Sequence, residues 1–147
     1  GGVLLDKLAQ KGNKHAFFFL EAKVGDNEFS FSGLKTAVLR EIKKFESDKI
    51  PKEDIAASFQ YRICDTLIKK TLFHAKKLNC KTIVLAGGVA ANSELRKRLK
   101  ELEEQGFKVS APKLAYCTDN ASMVASCAYY NPIQSEDSLL FEVFSRH

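Results

Sequence analysis

Apolar residues recur along the chain with two different periods, and the switches between them mark out the elements. Leu4, Leu5 and Leu8 share one side of a short helical stretch that Gly12-Asn13 stops. Residues 16–20, Ala-Phe-Phe-Phe-Leu, read as a buried strand. After the turn Gly25-Asp26-Asn27, the alternation Glu28-Phe29-Ser30-Phe31-Ser32 reads as a half-buried strand, and the two together predict a hairpin. Leu34, Val38, Ile42 and Phe45 then return at helical spacing between 33 and 46, leaving Lys35, Arg40, Lys43 and Lys44 for the water face. Pro51 opens the next helix, where a missing amide proton costs nothing. Ile55, Phe59, Ile63 and Leu67 carry its stripe toward Leu78, and Thr71 marks the place for a break in so long a helix.

Residues 82–86, Thr-Ile-Val-Leu-Ala, form a continuous β-branched and aliphatic run, the pattern of a strand covered on both faces in a parallel sheet. Gly87-Gly88 end it. Asn92 or Ser93 suits the cap of a helix striped by Leu95, Leu99 and Leu102, with Glu94 and Arg98 spaced for an i,i+4 ion pair and Gly106 as terminator. Residues 107–111 predict another short strand stopped by Pro112. Thr118-Asp119-Asn120 then cap a helix of small residues running to about Tyr130 and closed by Asn131-Pro132, while residues 139–144 fit no single element. Strands and helices in this order imply an α/β layer with helices packed on a sheet.

Composition narrows the class. A chain of 147 residues, 45% of them apolar, can bury the core of one ordinary domain and is not a disordered tail. The net charge of +5 favours anionic partners without naming one. Four cysteines, at 64, 80, 117 and 127, show no Cys-x-x-Cys spacing, so they read as reduced intracellular thiols. Cys64 and Cys127 fall in apolar helical patterns and are expected in the core, with Cys117 the more open. No apolar run approaches the roughly 20 residues of a membrane span, so a soluble, cytoplasmic protein with no membrane association is expected. Gly1-Gly2 reads as a turn between elements, which suggests a piece cut from something longer.

Two places could carry chemistry. At Ala86-Gly87-Gly88-Val89-Ala90-Ala91-Asn92 a strand runs into paired glycines and a helix start. Without Cβ atoms the backbone at 87 and 88 admits a ligand closely, and free amides of the next helical turn favour phosphate or carboxylate. Paired glycines are equally ordinary loop punctuation, with Asn92 a plain cap, and the run matches neither a Rossmann nor a Walker fingerprint. In Cys117-Thr118-Asp119-Asn120 a carboxylate beside a helix N-terminus could ligate a cation, or simply cap the helix. His15, His74 and His147 share no metal-ligand spacing, and no Gly-x-Ser-x-Gly elbow supplies a hydrolytic serine. Lys69, Lys70, Lys76, Lys77 and Lys81 carry as much charge as the chain's whole +5 excess. They form either a solvated helix face or a place for nucleic-acid phosphates, with no aromatic residues interleaved for stacking.

Three blocks resemble the C-terminal half of the bacterial-type TsaD family, the tRNA N6-adenosine threonylcarbamoyltransferases once called glycoproteases or O-sialoglycoprotein endopeptidases. They are Phe29-Ser30-Phe31-Ser32-Gly33-Leu34-Lys35-Thr36, Ala86 through Asn92, and Cys117-Thr118-Asp119-Asn120-Ala121-Ser122-Met123. Gly1-Gly2-Val3-Leu4-Leu5-Asp6 resembles a fourth, with Val3 where the family usually has Pro. The resemblance covers essentially the whole chain.

It implies an actin-like ATPase (ASKHA, ribonuclease H-like) second lobe, a mixed sheet with packed helices, whose N-terminal lobe is absent here. The implied reaction moves threonylcarbamoyl from threonylcarbamoyl-adenylate to N6 of the adenosine 3′ to the anticodon. By the same resemblance Gly2, Asp6, Gly88 and Asn92 would bind the adenylate or another adenine nucleotide. Asp119 would ligate an iron or zinc ion completed by histidines of the N-terminal lobe. The implied partners are tRNA, that lobe and helper proteins of the threonylcarbamoyladenosine pathway; the chain alone is expected to fold without transferring, and to self-associate to some degree. A non-catalytic interaction module of the same fold, with Asp119 and Asn92 as structural caps, is the alternative. The old metallopeptidase label requires a complete zinc site that this sequence does not display. A sugar or acetate kinase of the superfamily would share the glycines but not the Phe29 to Thr36 block.

Overall fold

The structure, a computed structural model, describes residues 1–22 and 24–131. Helices α1 (Gly2–Ala9), α2 (Ser32–Ile42) and α3 (Lys52–Lys77) precede strand β1 (Thr82–Val84), helix α4 (Ser93–Lys100), strand β2 (Lys108–Ser110) and helix α5 (Ala121–Tyr130). Short 3₁₀ turns at Gly88–Ala91, Glu101–Gln105 and Leu114–Tyr116 connect the later elements. The result is an α/β arrangement of helices with a small parallel sheet.

The spine is α3, whose 26 residues run unbroken past Thr71. Apolar neighbours meet it in three successive clusters. Near its start Ala56 and Ala57 pack on Ala9, Leu5 and Leu8 of α1. Ile55, Phe59 and Ile63 meet Leu34, Val38, Ile42 and Phe45, so the stripe expected on α2 is the one buried. Toward the C-terminal half Cys64, Leu67 and Ile68 pack with Ile83, Leu95, Leu99 and Leu102. Gly106 stops the turn after α4 with φ of 86°, a left-handed conformation that glycine adopts without a Cβ penalty.

Several expectations are corrected. The hairpin does not form: residues 14–17 turn and bend and 18–20 join no strand, with Phe19 buried and Phe18 and Leu20 exposed. Instead the Phe17 amide donates to Ser58 Oγ on α3 at 3.1 Å, so a helix takes the place of a ladder. Residues 28–31 are likewise outside any strand, and Phe31 already precedes α2. Among the described residues the sheet is parallel rather than mixed: β1 and β2 pair with Ile83 opposite Val109. Nor is β1 covered on both faces, since Ile83 is buried while Thr82 and Val84 face out. Cys127 is exposed and Cys117 buried, the reverse of the expectation. Glu94 and Arg98 do not pair with each other: Lys14 reaches Glu94 and Asp65 receives Arg98. No helix among the described residues is long and apolar enough to cross a membrane. The segment 139–144 lies outside the described residues.

Candidate functional site

The start of α4 is where residues far apart in sequence converge. Asn92 caps the helix, its Oδ1 accepting the Leu95 amide at 2.9 Å. Asp6, from α1, meets the same helix end: its Oδ1 accepts Ser93 Oγ–H at 2.8 Å, the Ser93 amide at 3.2 Å, Gln60 Nε2–H at 3.0 Å and Asn92 Nδ2–H at 3.4 Å. Its second oxygen accepts from Gln10 at 3.1 Å. A carboxylate at a helix N-terminus is favoured by the free amides and the helix dipole. The anion position expected for a ligand phosphate at this helix end is therefore filled by Asp6 itself.

The open amides lie one step earlier. Gly87 holds φ of 79°, and the 3₁₀ turn that follows closes with the Ala90 amide on Gly87 O at 2.9 Å. Gly88 and Val89 begin that turn, so their N–H groups have no partner within it. A Cβ built at Gly88 meets nothing within 4 Å. Gly2 sits one helical turn before Asp6, exposed and equally open.

Arg96 links this turn to the loop that leads to Asp119. Its guanidinium donates to the Ala90 carbonyl, to Pro112 O at 2.6 Å and to Cys117 Sγ at 3.1 Å. Asp119 is exposed. It does not cap α5; Asn120 does, accepting the Met123 amide at 3.0 Å. Among the described residues no group of three His, Cys, Asp or Glu side chains could hold a metal ion. The residues present thus offer one carboxylate and no metal centre of their own.

Asp6 and Asn92 are brought together, and Gly2 and Gly88 stand in the open near them in the chain. None of these four, nor Asp119, lines the cavities of about 380 Å³ and 470 Å³, although the first borders the Asp6 cluster through Gln10, Gln60 and Ser93. Cys64 lies beneath, its thiol donating to Asn92 Oδ1 at 3.5 Å. Burial, reinforced by the Glu94 charge, pushes that thiol up to about 12, so it is a packed donor and not a nucleophile.

Three participants escaped sequence reasoning: Gln60, Ser93 and Arg96. A Gln in the buried stripe of α3 was the available signal for the first. Another buried polar side chain of α3, Asp65, binds Arg62, Lys69 and Arg98. Lys69 is thereby engaged, and Lys70 donates to the carbonyls of Gly25, at 2.9 Å, and Glu28, so the basic segment is not one uniform solvated face.

Comparison with known proteins follows from these same residues. The TsaD family model, described as tRNA N6-adenosine threonylcarbamoyltransferase, matches residues 1–126. A protein of that name from Thermosipho africanus is 52% identical over 145 residues, covering 95% of this chain and 44% of the relative. One from Fusobacterium nucleatum is 47% identical over 133 residues, covering 88% of this chain and 39% of the relative. One from Clostridioides difficile is 43% identical over 141 residues, covering 92% and 42%. The chain spans about two fifths of the length of the curated relatives it matches.

Proposed function

The chain belongs to the tRNA N6-adenosine threonylcarbamoyltransferase family, and from that premise we propose that it is the C-terminal, actin-like ATPase (ASKHA, ribonuclease H-like) lobe of such an enzyme. On this reading the complete protein works in the cytoplasm with tRNA and with helper proteins of its pathway. The amine N6 of the adenosine 3′ to the anticodon attacks the carbonyl of threonylcarbamoyl-adenylate, and AMP leaves. The observation that carries the proposal is the meeting of Asp6 and Asn92, 86 positions apart, at the turn that begins with Gly87-Gly88.

This chain's part is to hold the adenylate. The Gly88 and Val89 amides meet its phosphate oxygens, and the second Nδ2 proton of Asn92, not used on Asp6, donates to the ligand. Oδ2 of Asp6 keeps acceptor capacity for a ribose hydroxyl, since only Gln10 occupies it. Gly2, a turn earlier on α1, lets the nucleotide lie close to the backbone. Asp119 would contribute one ligand to an iron or zinc ion whose other ligands are histidines of the N-terminal lobe. The described residues do not form that centre by themselves.

A non-catalytic interaction module remains a second reading, because Asn92 is already fully explained as the cap of α4. Gly88→Ala separates the two. The added methyl meets open space, so the melting temperature should stay within about 1 °C, as for surface changes generally. In the chain supplemented with an N-terminal lobe, calorimetric titration with AMP should show affinity at least about tenfold weaker, because the added methyl keeps the phosphate away from the Gly88 and Val89 amides. Unaltered AMP affinity in Gly88→Ala would defeat the transferase assignment of this turn.

A further inference from the structure

The second cavity, about 470 Å³, lies between the extended segment before α2 and the middle of α3. Its rim carries Lys14, His15, Phe18, Tyr61, Arg62 and Lys69. Phe18 is 79% exposed although it is one of three consecutive phenylalanines, because its neighbours Phe17 and Phe19 take the inward positions. The Arg62 guanidinium stands 5.2 Å from the centre of the Phe18 ring. Tyr61 is already covered: Lys14 Nζ lies 5.2 Å and the Arg98 guanidinium 5.0 Å from its ring centre, and His15 meets the ring edge-on at 5.0 Å. Folding therefore supplies what the basic segment lacked in sequence, an aromatic face beside Lys69.

Cations outnumber carboxylates around this cavity, which Asp65 also lines. Four cations, Lys14, Arg62, Lys69 and Arg98, face two carboxylates, Asp65 and Glu94. Both lysines are ion-paired, Lys69 to Asp65 and Lys14 to Glu94, yet they are the most exposed of the four cations, at 60% and 45%. An exposed ring receives an unpaired base, while lysines on long stems follow phosphates. An apolar peptide would find little here, since the apolar recess of the molecule is a different one, lined by Leu5, Leu8, Val38, Ile42 and Phe59.

We propose that this groove binds an unpaired stretch of an RNA strand, with a base stacked on the open face of Phe18, whose other face Arg62 backs, and the flanking phosphates on Lys14 and Lys69. The choice of RNA over DNA rests on the transferase reading above; the stacking and charge arguments do not. The groove is separate from the glycine turn that the reading assigns to the adenylate, so the two sites are testable apart.

The experiment is a fluorescence-anisotropy titration of the chain with a labelled single-stranded RNA octamer, repeated with the fully paired duplex. The single strand should bind more tightly than the duplex. Phe18→Ala should weaken binding about tenfold, the usual worth of one stacked base, and Phe18→Tyr should restore it. Lys14→Gln should lower the slope of log affinity against log salt by roughly 0.7. Tyr129→Ala, on a ring that is also 79% exposed but sits on α5, should change nothing. Binding that is absent, that is equal in Phe18→Ala, that is equally lost in Tyr129→Ala, or that AMP displaces at the octamer's own concentration would overturn the proposal. AMP affinity in the presence of an N-terminal lobe should be the same for Phe18→Ala as for the unsubstituted chain. Failure at the groove thus leaves the Gly88 result standing, and failure at Gly88 leaves the groove result standing.

Discussion

Replacing Asp65 by alanine is expected to lower the unfolding free energy by about 3 kcal/mol, the cost of stripping the partner from shielded charges, and the melting temperature by roughly 10 °C. Asp65 is buried in α3 and its carboxylate receives Lys69 at 2.7 Å, Arg98 at 3.0 Å and Arg62 at 3.4 Å. The two arginine side chains are only 18% and 15% exposed, so without the carboxylate they face each other with little water to screen them. Nη1 of Arg98 already lies buried with no partner, which leaves it no spare acceptor to turn to. Lys69 reaches water, and Lys69→Ala should cost under about 1 kcal/mol. A loss of the same size in both variants would mean that the shielded arginines are not what Asp65 neutralises.

The same carboxylate sets an acid limit. Burial alone would raise its pKa, but hydrogen bonds from Lys69 and Arg98, together with their charges, outweigh burial and hold it below the ordinary value. The unfolded chain therefore binds this proton at a higher pH than the folded one. The contribution is complete above the unfolded carboxylate value of about 3.9 and disappears as the pH falls through the folded value. Urea unfolding between about pH 7 and pH 2 should show a steeper acid loss in the unsubstituted chain than in Asp65→Ala. Parallel curves would contradict the network.

Gly12→Ala should be nearly as damaging, about 3 kcal/mol or loss of folding altogether. A Cβ at residue 12 would overlap the backbone carbonyl of Glu53 and stand 2.7 Å from the Asp54 amide nitrogen. Backbone at the start of α3 cannot rotate away as a side chain would. The chain after α1 would have to lift off α3, breaking the Asn13 amide bond to Asp54 Oδ1 at 2.7 Å and loosening Leu5, Leu8 and Ala9 from Ala56 and Ala57. Asp6 rides on that helix, so the damage should extend to α4. Amide hydrogen exchange at Ser93 should accelerate along with the drop in melting temperature. Gly33→Ala makes the same chemical change inside α2 with open space around it and should leave stability level or slightly higher. If Gly12→Ala melts where Gly33→Ala does, α1 is not packed as described.

Much of the helical architecture was legible in the sequence because a 3.6-residue stripe is a strong local signal. Leu34, Val38, Ile42 and Phe45 declare α2, and Ile55, Phe59, Ile63 and Leu67 declare α3, whatever lies beyond them. Gly106 and Asn120 likewise mark their helix ends through local backbone needs. The strands were less legible, since an extended segment becomes a strand only when another segment supplies its hydrogen bonds. Phe17 and Phe19 alternate inward as a strand would, yet Ser58 of a helix takes the Phe17 amide.

Long-range polar contacts had no sequence signal at all. Nothing in the spacing of Asp6 foretells that its carboxylate closes the N-terminus of α4, nor that Arg96 ties Ala90 to Pro112 and Cys117. Asp65 interrupts the buried part of α3, which in hindsight announces a partnered charge. Gly88, Asn92 and Asp119 stood out from the glycine turn and the helix starts, whereas Gly2 and Asp6 came in only through the resemblance to a family. What the structure adds is the convergence of Asp6 and Asn92 and the openness of Gly88.

The most direct measurement is transfer itself. The chain would be incubated with threonylcarbamoyl-adenylate and a tRNA reading codons that begin with A, alone and with a separately produced N-terminal lobe, and the digested nucleosides analysed by mass spectrometry. The account predicts threonylcarbamoyladenosine from the two lobes together, none from the chain alone, and a yield reduced at least about tenfold by Asn92→Ala, in line with removal of a positioning hydrogen bond. Product from the unsupplemented chain at the two-lobe rate, or undiminished product with Asn92→Ala, would contradict it.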